Sequence, residues 1–310
     1  MTAARIEDVL DENRWLREQL EAKAKVAARA LAAQQRRFLE MEQTAAELHA
    51  VNEKLAAALR VLEDRDKRIS EDLGQAFAFQ QRILPRLPVP AELGFAAIYR
   101  PAEVVGGDLY DVYRLPGGGH RVFLADAIGH GVQAALRTMI LKTEYDRVRD
   151  SATPAEALVL LNRRIVATYP GLELQCTGAC FDVQLVDDER GGDGARVTYA
   201  TAAHPPLLHV TGGAAQQVYQ ASPFLGILPE VEITTTRFKV GRGDRLFLFS
   251  DGLVEECRGL EEYGLHRLSS ALCRPGPLAE VVSGAVADLE VFVGGADLTD
   301  DVTLVAVEIS

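Results

Sequence analysis

Cysteine is scarce in this 310-residue chain: Cys176, Cys180, Cys257 and Cys273 are the only four, and no two form a CxxC pair. With only six histidines to accompany them, a zinc knuckle or a disulfide framework is excluded. The four are expected to be buried free thiols in a reducing compartment. No apolar run approaches the ~20 residues needed to span a bilayer. The N-terminal stretch MTAARIEDVLDENRWLREQL has no apolar signal core. The expectation is a cytoplasmic protein with no membrane span. No GxxxxGK[ST] loop occurs, so a P-loop NTPase is ruled out. Positive charge is in deficit: 33 Lys and Arg face 45 Asp and Glu, for a net −12. Phosphate backbones recruit Lys and Arg, so nucleic acid is not the expected partner. Proline is absent from residues 3 to 84, where Gly74 is the only glycine.

That last absence leaves a long run of Ala, Glu, Leu, Arg and Gln, which are good helix formers. Steps of seven from Ile6 give Asn13, Leu20, Ala27, Gln34, Met41, Leu48, Leu55, Leu62, Ile69, Ala76 and Ile83. Most are apolar. The companion column is less regular, with Val9, Leu16, Val51, Ala58 and Phe79 in place and Lys23, Arg37, Arg65 and Asp72 out of it. The drift fits a stripe with a period between 3.5 and 3.6 residues. The expectation is a coiled coil, most simply a parallel homodimer through residues 5–70. The alternative is one amphipathic helix packed on its own domain. Gly74 is a candidate hinge, because glycine costs a helix ~1 kcal/mol against alanine. Pro85, Pro88 and Pro90 end the helix. The expected organisation is a dimerising and regulatory helix at 1–74, a linker or switch at 75–92 and a catalytic domain at 93–310. Movement of the segment 75–84 against that domain would control it.

From Leu93 the pattern becomes short runs rich in Val, Ile, Thr and aromatics, separated by turns such as PGGG, RGGDG, TGG and GRGD. One such run is VEITTTRFKV at 231–240. Helical patterns interrupt at 131–149, 154–168, 264–273 and 277–291, the second with Thr153 as N-cap and Pro154 at N1. The fold class expected is α+β: two packed, largely antiparallel β-sheets flanked by helix pairs, an α-β-β-α sandwich, preceded by the long helix.

Four acids stand where apolar runs break: Asp108 in VVGGDLYD, Asp126 in VFLADAIGHG, Asp251 in LFLFSDGLVEE and Asp300 in LTDDVTLVAV. Singly, Asp126, Asp251 and Asp300 read equally well as turn or cap residues, and Asp108, in a Gly-Gly-Asp turn, reads better as one. Together, with no His or Cys cluster beside them, they suit a hard cation such as Mg²⁺ or Mn²⁺. Two such ions ~3.5–4 Å apart could share one carboxylate and generate a bridging hydroxide that attacks phosphorus in line. Arg100, eight residues before Asp108, is a candidate phosphate ligand or a plain surface residue.

These segments resemble the metal-dependent (PPM, or type 2C) serine/threonine phosphatases, and more closely their bacterial SpoIIE/RsbU-type branch. The likeness is carried by QQRILP at 80–85, RPAEVVGGDLYDVY at 100–113, LADAIGHGVQAAL at 124–136, PAEALVLLN at 154–162, TAAHPPLL at 201–208, LGI at 225–227, GDRLFLFSDGLVE at 243–255 and DDVTLVAV at 300–307. It spans about residues 75–310. It implies a two-sheet sandwich with two Mn²⁺ or Mg²⁺ ions between the sheets. By motif, Asp126 would bridge the ions, the Ala127 carbonyl would join one of them, and Asp108, Asp251 and Asp300 would complete the shell. Asp301 holds the second position of its pair, where the resemblance gives the first as the ligand; Asp301 and Gly107 are candidates for the metal shell or the layer behind it. Gly107 and Gly131 would shape the backbone, and His130 is a candidate for proton transfer to the leaving group. DAIGHG, SDG and AAHPP depart from the usual DVSGHG, TDG and AGHPP, yet remove no carboxylate. The implied substrate is a phosphoserine or phosphothreonine on a regulatory protein, typically a STAS-domain anti-sigma-factor antagonist. An upstream activator on the coiled coil would fit this branch. A signalling scaffold and a small-molecule phosphomonoesterase are the alternatives.

Overall fold

The computed structural model describes residues 3–85, 87, 93–187 and 193–310; Pro88 and Pro90, expected to stop the helix, lie outside them. Helix α1 (Ala3–Ile83) runs for 81 residues and passes through Gly74 without a break. One compact unit ends at Glu71 and a second comprises Asp72–Ser310. In the first unit Leu20, Met41, Leu48, Leu55, Leu62 and Ile69 are all exposed. They share the seven-residue column, so the unit carries an uncovered apolar stripe.

The second unit holds β1 (Leu93–Arg100), β2 (Asp108–Arg114), β3 (His120–Ala127), α2 (Gly131–Asp146), α3 (Pro154–Thr168), β4 (Cys176–Asp187) and β5 (Asp193–Ala202). It continues through β6 (Leu207–Thr211), β7 (Ala214–Val218), β8 (Thr236–Gly241), β9 (Arg245–Phe249), a 3-10 turn (Asp251–Leu253), β10 (Cys257–Arg258) and β11 (Glu261–Glu262). It ends with α4 (Gly264–Leu272), α5 (Leu278–Val293) and β12 (Val302–Ile309). One five-stranded sheet has the order β1-β12-β9-β6-β7 and the other β2-β3-β4-β5-β8. Their ladders are antiparallel, from β1 on β12 to β5 on β8.

Three apolar cores separate four layers. Between the sheets, Val122, Leu124, Phe181 and Val197 meet Leu246, Leu248, Val305 and Val307. On the outer face of the second sheet, Phe123, Ala125 and Cys180 pack on Leu141, Tyr145, Leu158 and Leu161 of α2 and α3. On the outer face of the first, Phe247, Phe249 and Leu304 meet α4 and α5 through Leu268, Val282, Val286 and Leu289. Central strands are thus covered on both sides, which is why VFLA and LFLF read as unbroken apolar runs rather than alternating ones. Helix α5 repeats its apolar residues at helical spacing, from Leu278 through Val281, Val282, Ala285, Val286 and Leu289. It ends at Gly294, whose φ of 72° is the left-handed conformation that closes helices. Thr153 caps α3, its hydroxyl accepting from the Glu156 N–H at 3.2 Å, with Pro154 at the first position.

Two details differ from expectation. The strand read at 231–240 begins only at Thr236. Within the irregular chain before it, Leu225 exchanges backbone hydrogen bonds with Cys176, and the Gly226 N–H goes to the Asn162 side chain. Those partners lie outside the β8 ladder, so the chain is held as a tethered loop. All four cysteines are free, but only Cys176 and Cys180 are buried; Cys257 is exposed and Cys273 half-buried.

Candidate metal centre

Strand β3 delivers Asp126 to its end, and the antiparallel register places it directly opposite Asp108, the first residue of β2. Both belong to one sheet. Asp251 opens the 3-10 turn after β9, and Asp300 lies two residues before β12, so both stand at strand ends of the other sheet. The sandwich brings the two pairs to one cleft of about 680 Å³, lined by Asp126, Asp251, Asp300 and Glu255, with Asp108 buried behind. Its remaining wall includes Ile128, Thr177, Pro205, Pro206, Tyr219 and Phe224, with no Lys or Arg among the described residues that line it.

The electrostatics are those of crowded acids. Burial, then the charges of Asp251, Asp300, Asp301 and Glu255, pushes Asp126 up to about 8. Asp108 is pushed well above its usual range by burial and then by Asp126. Asp251 is raised by burial and then by Asp300. Both carboxylate oxygens of Asp108 are buried without a hydrogen-bond partner. Ser250 and Thr303 are near enough to lower its pKa, but the Ser250 hydroxyl is engaged elsewhere, donating to the Asp301 carbonyl and accepting from the Thr303 N–H.

Buried, unpaired carboxylates are costly unless a cation compensates them. The donor set is all oxygen, the chemistry of Mg²⁺ or Mn²⁺. Cys176 is the register partner of Ala127; burial raises its thiol far above neutral pH, so it offers no thiolate. The residues therefore fit a hard divalent cation. Among the described residues no three such side chains form a closed ligand cage as they stand. What the fold brings together is the strand ends that carry them.

Asp301 is turned away from this cluster's open side. Its carboxylate accepts from the Ala102 N–H at 2.8 Å and from the Gly107 N–H. It is a strap on the Gly-Gly-Asp segment. Gly107 has no room for a side chain, since a Cβ would stand 2.8 Å from the Ala127 carbonyl oxygen and 2.9 Å from that of Gly129. The Ala127 N–H donates to the Gly107 carbonyl at 3.1 Å. Gly131 has φ +74°, and a Cβ there would meet the Glu103 carboxylate. That carboxylate lies 2.6 Å from Nδ1 of His130, whose half-exposed ring is not among the groups lining the cleft. Arg100 pairs with Glu290 beside a separate hollow and does not line the acidic cleft either.

Sequence reading missed three residues that shape the site. The Glu256 carboxylate accepts from the Thr299 N–H at 2.5 Å, the Thr299 hydroxyl at 3.1 Å and the Asp300 N–H at 3.3 Å, holding the turn that presents Asp300. Nothing in LVEE distinguishes it from Glu255. Thr177, opposite Asp126 in the register, hydrogen-bonds Nδ1 of His204 at 2.7 Å. Burial pushes that imidazole down to about 3, which keeps it neutral. Gln80 is the third.

The family model for Stage II sporulation protein E (SpoIIE) matches residues 116–310. The phosphoserine phosphatase RsbP of Bacillus subtilis (strain 168) is 24% identical over 189 residues, which cover 59% of this chain but only 45% of RsbP. The SiaA-PP2C domain of Pseudomonas aeruginosa superposes with a TM-score of 0.69 at 24% identity, over 79% of this chain and 98% of that domain. The RsbU and RsbW domains of Rv1364c from Mycobacterium tuberculosis give 0.58 at 25% identity, over 73% of this chain and 61% of that one.

Proposed function

The chain belongs to the SpoIIE family, and from that premise we propose that it is a metal-dependent serine/threonine protein phosphatase acting on a phosphorylated regulatory protein. One observation carries the reading: carboxylates from two different sheets meet at one cleft, and neither oxygen of the most buried of them accepts a hydrogen bond. Asp108, Asp126, Asp251 and Asp300, together with the Ala127 carbonyl, would hold two Mn²⁺ or Mg²⁺ ions. Such ions supply Lewis acidity, acidifying water and offsetting charge on phosphoryl oxygens.

The chain's own contribution is position. Asp126 and Asp108 are fixed by β-ladder register, Asp300 by Glu256, and the Gly-Gly-Asp segment by Asp301. Among the described residues no lysine or arginine forms part of the cleft wall, and Arg137 beside it is committed to the Ile128 carbonyl at 2.6 Å. Substrate recognition would therefore rest on the apolar rim of Ile128, Pro205, Tyr219 and Phe224. That rim suits a protein surface around the phosphoresidue better than a small charged phosphomonoester. The relative RsbP is named a phosphoserine phosphatase, and the resemblance of the motifs to the SpoIIE/RsbU-type branch favours a phosphorylated STAS-domain protein. The exposed stripe of the first unit supports a homodimer through residues 5–70, and an activator could act on that coil. No helix among the described residues is long and apolar enough to cross a membrane.

The test is phosphate release from a phosphoserine-bearing STAS-domain protein in Mn²⁺. Wild type is expected to turn over, while Asp126→Asn and Asp251→Asn lose at least ~100-fold, the scale of losing a main charge-stabilising group. Variants as active as wild type would end the two-ion reading.

A further inference from the structure

We propose that Gln80 is a positioning residue for Asp108: its side-chain amide, delivered by the last turns of α1, holds the backbone that aims this carboxylate. The inference rests on the reading of Asp108 as a metal ligand. Gln80 is 3% exposed, although its neighbour Phe79 is 60% exposed. A glutamine that is buried while a phenylalanine beside it faces solvent inverts the usual preference. Ordering a long polar side chain also costs rotamer entropy, so its hydrogen bonds must compensate.

Those bonds are specific. Nε2 of Gln80 donates to the Gly106 carbonyl at 2.7 Å, and the Gly106 N–H donates to Oε1 at 3.2 Å. One amide thus meets both polar atoms of a single residue, and only one orientation of the amide satisfies both. The next residue is equally committed. The Gly107 N–H donates to Asp301 and its carbonyl accepts from the Ala127 N–H. Every backbone polar atom of the Gly106-Gly107 pair is therefore occupied. Gln80 supplies the first two partners, and Asp301 and Ala127 supply the others.

This matters because of what Asp108 lacks. Neither of its carboxylate oxygens has a hydrogen-bond partner. Its direction is set by the backbone that carries it, and that backbone begins two residues earlier at Gly106. No side chain at 106 could substitute for the clamp, since a Cβ there would lie within 2.7 Å of the Asp301 carboxylate. Loss of the Gln80 amide would leave a buried N–H and C=O unpaired and release the segment on one side.

The test uses the full chain and Mn²⁺ alone, with the dissociation constant read by titration calorimetry and folding read by the melting curve without metal. Gln80→Met keeps volume and removes both bonds; Gln80→Asn keeps the amide but shortens its reach. Supporting groups around metal ligands are typically worth 10–100-fold in affinity, and a loss of that size is expected in both variants. Saturating Mn²⁺ should restore kcat toward wild type, which a general packing defect would not do. Phe79→Ala, on the same turn, should leave affinity unchanged. Either Gln80 variant melting like a folded protein yet binding Mn²⁺ as tightly as wild type overturns the proposal. Wild type that binds no Mn²⁺ would instead remove the metal-centre reading itself, and the Gln80 role with it.

Discussion

At the scale of single residues, position in a motif and role in the structure separate cleanly at Asp300 and Asp301. Adjacent and identical in chemistry, one lines the cleft while the other accepts backbone N–H groups from Ala102 and Gly107. Gly107 itself is defined by close approach. Gly107→Ala would place a methyl against two backbone carbonyls, and backbone cannot move aside cheaply. We expect the variant to fold with a weakened Mn²⁺ site, visible as a smaller metal-induced rise in Tm than wild type shows; an equal rise would contradict this. Asp244 offers a test by pH. Burial raises its pKa, but hydrogen bonds from Thr211, the Gly241 N–H and His209 outweigh that and hold it below the usual 3.8. A folded pKa below the unfolded one means stability that is present above the unfolded value and lost as pH falls through the folded value. Asp244→Asn should therefore be less stable than wild type by about 1.5–3 kcal/mol at pH 7, the range for hydrogen bonds to a charged group. Urea unfolding should show the gap narrowing below the usual value of 3.8. A gap of the same size well below that pH would show that the ionised form is not what stabilises.

At the scale of elements, patterning and punctuation explain most of what forms. Thr153-Pro154, the helical spacing of α5 and the turn glycines are local signals, and the elements they mark appear where expected. β3 is less typical because it is buried on both faces and still contains Arg121, which is 0% exposed. The cross-strand register explains it: Arg121 faces Asp182 on β4, with Nε and Nη2 at 2.6 and 2.7 Å from its oxygens and Nη1 on the Arg149 carbonyl at 2.9 Å. Removing one partner of a buried pair strands the other charge. Asp182→Ala should lose about 3–5 kcal/mol in urea unfolding, whereas Arg121→Met with Asp182→Leu should lose less than that. If the double replacement were as damaging as the single one, the stranded charge would not be the cause. The loop at 219–235 escaped sequence reading for a related reason. Its Val, Ile and Thr content says strand, while its hydrogen bonds to Cys176 and Asn162 hold it beside the cleft.

At the scale of the whole molecule, two designs coexist. The sandwich buries its apolar residues in three layers of its own making. Among the described residues of the first unit, the helix leaves the apolar members of its seven-residue column exposed, and such a stripe is satisfied by another helix. We expect the full chain to sediment as a dimer and the Leu48→Lys, Leu55→Lys double variant as a monomer with its sandwich domain intact. A wild type that is monomeric across the concentration range would leave the coil without its proposed partner.

The sequence alone determined the helix, the strand runs, the layered class and the four carboxylates at strand ends, because periodicity, propensity and turn chemistry act over a few neighbouring residues. Only the tertiary structure decided which atoms those side chains reach. It set His130 against Glu103, turned Asp301 into a strap 194 residues from its glycine, and brought Gln80 to a backbone 26 residues away. Contacts of that kind depend on how sheets and helices close on one another. A chain read one residue at a time carries the groups but not the distances between them.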